Sequence, residues 1–189
     1  QQVLSYFKQY QEELQRAGFS GLGIKPQPHQ SGYTFVGSKA CAECHQEAFD
    51  IWSDSAHAQA TQSLITPPER SEITRQYDPE CLSCHTTGWQ PLAYTPFSSG
   101  FESMAATQHL AGSGCENCHG PGSAHVRLER LELLDEVANA GELLKARQAL
   151  GLSLAAAKEH QCTTCHDLDN SPDFHDEGAF EKYWEQIQH

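Results

Sequence analysis

The sequence contains no run of 18 or more apolar residues, and hydrophobic residues make up only 38% of its 189 positions. A membrane-spanning helix is therefore not expected. Basic residues are also scarce, with 12 Lys and Arg against 25 Asp and Glu and a formal net charge of -13; this excludes an ordinary nucleic-acid binder. Charged residues form only 20% of the chain and aromatic residues 9%, which is not typical of a disordered acidic chain. With so few apolar side chains, something else is expected to fill the interior.

All eight cysteines belong to one repeated pattern, Cys-x-x-Cys-His, and none is left over. The four copies, called here the first to fourth motifs, occupy residues 41–45, 81–85, 115–119 and 162–166. This pattern is the attachment signature of c-type haem, in which the two thiols form thioethers and the histidine binds the iron. A zinc ribbon has no use for a histidine after each pair, and a redox Cys-x-x-Cys motif occurs once, beside a βαβ pattern.

The sequence therefore predicts four covalently bound haem c groups, numbered here like their motifs. The predicted attachment residues are Cys41, Cys44, Cys81, Cys84, Cys115, Cys118, Cys162 and Cys165. The predicted proximal ligands are His45, His85, His119 and His166. Four large apolar macrocycles would supply the core that the side chains lack, and folding is expected to depend on them.

The fold is predicted to be mainly α, with helices and long loops wrapped around four closely packed covalent c-type haems and little or no β-sheet. No segment shows the alternation of a strand. Residues 1–32 are expected to form an N-terminal helix and a Gly/Pro linker arm, and residues 33–189 a tetrahaem cytochrome domain. One predicted helix covers residues 2–17 and stops at Gly18, and another runs from the first motif to about Ile65, where Pro67 and Pro68 end it. Further helices are predicted over residues 69–77, 123–138 and 177–189, the second of these capped by Ser123.

Seven histidines lie outside the motifs and are candidates for the second axial position: His29, His57, His109, His125, His160, His175 and His189. Met104 is the single methionine, so His/His coordination and low reduction potentials are expected. In a continuous helix, His57 would lie about 18 Å along the axis from His45, too far to bind the same iron. His125 follows His119 by six residues across a Gly-Pro-Gly turn, too short a path around a haem edge. His160 precedes Cys162 too closely to serve the fourth haem.

The residues around the motifs also carry a family resemblance. The segments concerned are residues 33–45 followed by Trp52 and residues 55–58, residues 114–125, and residues 162–166 with 171–174 and 183–189. They resemble the cytochrome c-554 type of tetrahaem cytochrome over about residues 33–189. The resemblance implies a helical fold with closely stacked haem pairs and crossed ligation. It implies that His125 binds the first haem, His57 the fourth and His189 the third, whereas the second haem, on His85, is five-coordinate in the type member.

At the second haem this chain has spare histidines, His29, His109, His160 and His175, any of which could fill the sixth position. His109 lies on the loop after the second motif and could fold back over the haem, so we hypothesise that His109 caps it. His175 lies close enough in sequence to compete with His189.

The main functional hypothesis is a multihaem cytochrome that transfers electrons between redox partner proteins, expected to be other cytochromes, through four closely spaced haems. One alternative is a haem enzyme that reduces or oxidises small nitrogen compounds at an open second haem. Another is a subunit of an extracellular cytochrome filament, with residues 1–32 reaching a neighbouring copy and His29 as a ligand there. A periplasmic or extracellular location is expected because c-type haem is attached outside the cytoplasmic membrane, and the chain, which shows no leader, is expected to be a mature form.

Overall fold

The computed structural model describes residues 2–67, 73–135 and 139–189. Within them the chain is mainly helical, which confirms the predicted fold class. The helices are α1 (Gln2–Gly21), α2 (Ser38–Ala42), α3 (Gln46–Ser53), α4 (Ala60–Ile65), α5 (Pro79–His85), α6 (Cys115–His119), α7 (Ser123–Glu132), α8 (Ala140–Ala149), α9 (Leu154–Ala156) and α10 (Ala179–Trp184). Two short strands, β1 (Trp89–Gln90) and β2 (Thr95–Pro96), pair antiparallel. None of the described helices combines the length and the apolar character that a bilayer crossing requires.

The N-terminal helix α1 packs against residues of the predicted tetrahaem domain. Gly18 interrupts it with a φ of 57°, a left-handed conformation that glycine adopts easily, and the chain then continues to Gly21. The predicted stop is therefore a bend. Beyond it, the Phe19 ring meets Trp89 edge-on with centroids 5.2 Å apart. Earlier in α1, the Gln15 amide donates to the Tyr77 hydroxyl at 3.0 Å.

The stretch from the first motif to Ile65 is three short helices, so the prediction of one continuous helix was wrong. His45 has a non-helical backbone (φ -119°, ψ 53°) between α2 and α3. The hydroxyls of Ser53 and Ser55 donate to carbonyls three residues earlier, at 2.9 and 2.6 Å, and serine favours such local bonds over helix continuation. His57 lies in the turn between α3 and α4, so the helix-rise argument for it rested on an incorrect premise.

Three other helix boundaries differ from prediction. Residues 73–77 are not helical, and 69–72 of that predicted helix lie outside the described residues, as does Pro68. Ser123 begins α7 instead of capping it, because its hydroxyl accepts from the Thr34 N–H at 3.0 Å. The helix ends at Glu132, and its predicted end at Ala138 lies outside the described residues. The final helix, α10, covers Ala179–Trp184 and is shorter than the predicted range of residues 177–189.

Among the described residues, two small apolar clusters contribute to the core. The larger comprises Phe35, Leu64, Leu82, Trp89, Phe101 and Leu110, and joins the first, second and third motif regions. The smaller comprises Leu128, Leu143 and Ala146, and holds α7 against α8. Both are small for a chain of this length, as expected if side chains alone do not complete the interior.

Candidate functional site

The four motifs lie on short helical segments. The second motif ends α5 and the third ends α6, with the motif histidine as the last helical residue in each. The first begins within α2, and the fourth begins in a 3-10 turn at Cys162–Thr164. The start of α5 is well fixed, because the Asp78 carboxylate accepts from the Glu80 N–H at 3.1 Å and Pro79 occupies the first turn.

Each of three motif histidines faces a histidine from a different part of the chain. The ring centroids of His45 and His125 are 6.2 Å apart, with the planes within 21° of parallel. The rings of His57 and His166 are 6.0 Å apart. Those of His119 and His189 are 5.9 Å apart. These are the residues that the family resemblance pairs.

The ring separations suit a metal ion between each pair. Two imidazoles that bind one ion from opposite sides, through bonds of about 2 Å, hold their centroids about 6 Å apart. Direct stacking of two rings would bring them closer, toward the lower end of the range of about 4.5–7 Å. The three pairs therefore fit the axial ligands of a haem iron.

Hydrogen bonds at Nδ1 fix several of these rings. The Nδ1 atom of His85 lies 2.9 Å from the Ala60 carbonyl, and that of His119 lies 2.7 Å from the Leu150 carbonyl. The Nδ1 atom of His189 lies 2.9 Å from the Ile187 carbonyl, and that of His166 lies 3.0 Å from the Ser171 hydroxyl. A ring that donates from Nδ1 has an unprotonated Nε2, the atom that then binds a metal. The Phe174 ring further fixes His166 by stacking on it at 4.5 Å and 18°.

Burial favours the neutral form of four candidate ligands. It is the main cause that lowers the pKa values of His57, His85, His125 and His166. Neutral imidazole is the form that binds metals.

His125 differs from the other rings in its Nδ1 partner. This atom is buried, forms no hydrogen bond within the described residues and lies 3.5 Å from Glu129 Oε1, one helical turn further along α7. Two N–H groups of Arg147 on α8 donate hydrogen bonds to the Glu129 carboxylate, at 2.6 and 2.8 Å. This ion pair lowers the pKa of Glu129. A carboxylate held in place thus lies behind the His125 ring.

The motif thiols meet in pairs across the molecule. The Cys41 thiol lies near that of Cys115, and this proximity is the main cause that lowers the pKa of Cys115. In the same way, the nearby Cys165 thiol is the main cause that lowers the pKa of Cys84. The first motif therefore lies beside the third, and the second beside the fourth.

The third and fourth motifs also approach each other. Burial, with the nearby Cys162 thiol as the next cause, raises the pKa of Cys118 to about 11. All eight cysteines are free of disulfides, as thioether attachment of haem requires.

Glu116, inside the third motif, is a buried residue whose role the sequence did not indicate. It is 3% exposed, and its carboxylate accepts backbone N–H bonds from Val36 at 2.9 Å, Gly37 at 2.7 Å and Gly122 at 2.7 Å. Burial raises the pKa of Glu116, and these N–H groups oppose that rise. Glu116 therefore connects the residues just before the first motif with those just after the third motif. An acidic side chain between two motif cysteines carries no sequence signal for such a bond.

Neighbouring polar contacts connect the other motifs. The Asn117 amide donates to the Thr86 carbonyl at 2.9 Å, and the Gln161 amide donates to the Asn117 carbonyl at 2.7 Å. The Thr61 hydroxyl donates to the His85 carbonyl at 2.6 Å and accepts from the Gly112 N–H at 2.7 Å. The third motif is thus linked to both the second and the fourth.

The four spare histidines occupy other surroundings. The exposed His109 lies against Gly37, before the first motif. The His29 ring packs on Phe97 with centroids 4.8 Å apart, and His160 is an exposed neighbour of Glu159. His175 uses Nε2 to bond the His166 carbonyl at 2.8 Å. Within the described residues, none of these rings forms a ring pair with His85.

Comparisons with known proteins agree with the motif pattern. Residues 40–120 match the family model described as cytochrome c554 and c-prime. The chain is 27% identical over 149 residues to cytochrome c-554 of Nitrosomonas europaea. The alignment covers 73% of this chain and 60% of that relative, so the chain spans less than two thirds of the relative's length. No solved structure matches the chain.

Proposed function

We propose that the chain is a cytochrome of the cytochrome c-554 type, like the family model and the relative that it matches. In this proposal it carries four covalent haem c groups and transfers electrons between redox partner proteins. The observation that carries this proposal is the set of three facing histidine pairs, 5.9–6.2 Å apart, each with one motif histidine. In the proposed assignment, His125 serves the first haem, His57 the fourth and His189 the third.

Different residues of the chain would attach the haem groups and bind their iron. Bound haem would supply an iron that alternates between the ferric and ferrous states. The eight motif cysteines would hold the four groups in place, and the histidine pairs would fill both axial positions at three of them. A filled position leaves no place for a substrate, which favours electron transfer over activation of a small molecule.

The thiol contacts support an order for the electron path. The Cys41 thiol lies near that of Cys115, Cys118 near Cys162, and Cys84 near Cys165, close enough for each to influence its neighbour's pKa. The proposed path therefore runs from the first motif through the third and fourth to the second. This order differs from the order along the chain.

A second candidate function rests on His85. Its Nδ1 is fixed by the Ala60 carbonyl at 2.9 Å, so its Nε2 is free for an iron. No other histidine ring is paired with it within the described part of the chain. The second haem would then be a site for an added ligand, as a haem enzyme acting on small nitrogen compounds requires. His109 capping, by contrast, would make the protein a pure carrier.

The N-terminal residues need no neighbouring copy to explain their contacts. Phe19 packs on Trp89, and His29 packs on Phe35 and Phe97, all within one chain. We therefore do not include a filament in the proposed function.

The proposed partners are other cytochromes with basic surfaces, because the chain has a net charge of -13. The proposed location is periplasmic or extracellular, where covalent haem is attached.

Mass spectrometry and spectroscopy of the purified protein test the proposal. The denatured protein should exceed its sequence mass by four haem groups, and an excess of three or fewer would contradict the count. Electron paramagnetic resonance should show mainly low-spin ferric iron with two imidazole ligands. Cyanide or nitric oxide then separates the two functions: rapid binding at one haem, with a high-spin signal beforehand, supports the enzyme, whereas no binding supports the carrier.

A further inference from the structure

We propose that Glu129, held by Arg147, is a positioning residue that accepts a hydrogen bond from His125 Nδ1 and lowers the reduction potential of the first haem. This inference rests on the proposed function, in which His125 and His45 are the axial pair of that haem. It assigns to α7 and α8 the role of setting one potential in the electron path.

The geometry leaves His125 with one suitable acceptor. Its Nδ1 is buried and has no hydrogen-bond partner within the described residues, and Glu129 Oε1 lies 3.5 Å away. A buried N–H without an acceptor destabilises the folded chain, because it loses its hydrogen bonds to water and gains none in return. A small rotation of either side chain would close the distance. Arg147 keeps the carboxylate nearby, since it holds both oxygens, at 2.6 and 2.8 Å.

The other fixed rings bond to neutral oxygens. The Nδ1 atoms of His85, His119 and His189 face backbone carbonyls, and that of His166 faces a serine hydroxyl. A carboxylate acceptor draws the proton more strongly and makes the imidazole a stronger electron donor to its metal. Stronger donation favours ferric over ferrous iron, so the first haem should have a lower potential than the same haem without Glu129.

The alternative is that Glu129 and Arg147 form only a structural ion pair. Ion pairs near the surface contribute little stability, and α7 and α8 already share the cluster of Leu128, Leu143 and Ala146. A purely structural pair predicts no change in any haem potential. The two explanations therefore differ in a measurable property.

The chain contains a matched control. Glu43 lies inside the first motif and is held by two N–H groups of Arg130, at 3.1 and 2.7 Å. Glu43→Gln removes the same charge and breaks the same kind of arginine pair near the same haem. Glu43 is not among the contacts of an axial histidine within the described residues, so this variant isolates the effect of the His125 contact.

Spectroelectrochemical titration of the haem-loaded Glu129→Gln and Glu43→Gln proteins provides the test. We expect one potential to shift upward in Glu129→Gln, with the haem count and low-spin signal unchanged, and no comparable shift in Glu43→Gln. No shift, or equal shifts in both variants, would overturn the proposal. His125→Ala checks the premise: a new high-spin haem supports the ligation. An unchanged spectrum there would instead refute the proposed ligand pair itself, so the two failures are distinguishable.

Discussion

At the scale of single residues, the candidate ligands differ in how firmly the chain fixes them. His119 and His189 face each other and are both bonded through Nδ1 to backbone carbonyls. His57 lies in a turn between two short helices, and burial lowers its pKa. Its proposed partner His166 is fixed by Ser171 and Phe174. Substitution of His57 should therefore leave the opposite ligand in place.

Replacing His57 with alanine should convert one haem from low spin to high spin while all four haems stay attached. The reason is that His166 would keep its iron and lose the opposing ring 6.0 Å away. Electron paramagnetic resonance and denatured mass measure the two properties. His160→Ala is the control, since that side chain is 81% exposed and should leave the spectrum unchanged. A His57→Ala spectrum identical to the parent would show that His57 is not a ligand.

Replacing Glu116 with alanine should destabilise the haem-loaded protein by about 3 kcal/mol or more, because three backbone N–H groups lose their acceptor at about 1–3 kcal/mol each. Denaturant unfolding followed by haem absorbance measures the change. Glu132→Ala, an exposed change on α7, should alter the free energy of unfolding by less than about 0.5 kcal/mol. Similar stability of the two variants would argue against the tie between the first and third motifs.

At the scale of elements, local patterns predicted some helices well and others poorly. The apolar spacing of α1 predicted that helix, and Gly18 marked its bend. The break after α3 depends on serine hydroxyls that bond backward, which apolar periodicity does not report. The motif cysteines and proximal histidines could be predicted because each motif is complete within five residues, and their roles stay a prediction. The carboxylate contacts of Glu116 and Glu129 could not, because they join residues distant in sequence or depend on side-chain orientation.

The docking of α1 provides a prediction at this scale. Leu14 is 7% exposed, whereas Leu4 on the same helix is 51% exposed. Leu14→Ala should weaken docking by about 2 kcal/mol or more, and should speed amide hydrogen exchange throughout α1 without changing the haem spectrum. Leu4→Ala should leave the exchange unchanged. Equal protection of α1 in both variants would mean that Leu14 does not hold the helix in place.

At the scale of the whole molecule, low apolar content and acidity have connected consequences. In the described part of the chain, the apolar clusters of the side-chain core are small. Polar contacts such as those of Glu116 and Asn117 join the motif segments to one another. Folding is thus organised around the motifs, where the proposed haems would complete the interior. The net charge of -13 should govern how fast the proposed partner proteins associate with the chain.

Electron exchange with a small basic cytochrome should slow as salt is added, by about tenfold or more between low and high ionic strength, because screening weakens the attraction. Exchange with a small acidic cytochrome should be slower at low salt and should accelerate instead, since the same screening relieves repulsion. Stopped-flow absorbance measures both rate constants, and an uncharged reductant provides the salt-independent control. A basic partner whose rate does not change with salt would show that docking relies on surfaces other than the acidic ones. The acidic partner distinguishes charge screening from a general effect of salt on the haems. A general effect would change both rates in the same direction, whereas screening changes them in opposite directions.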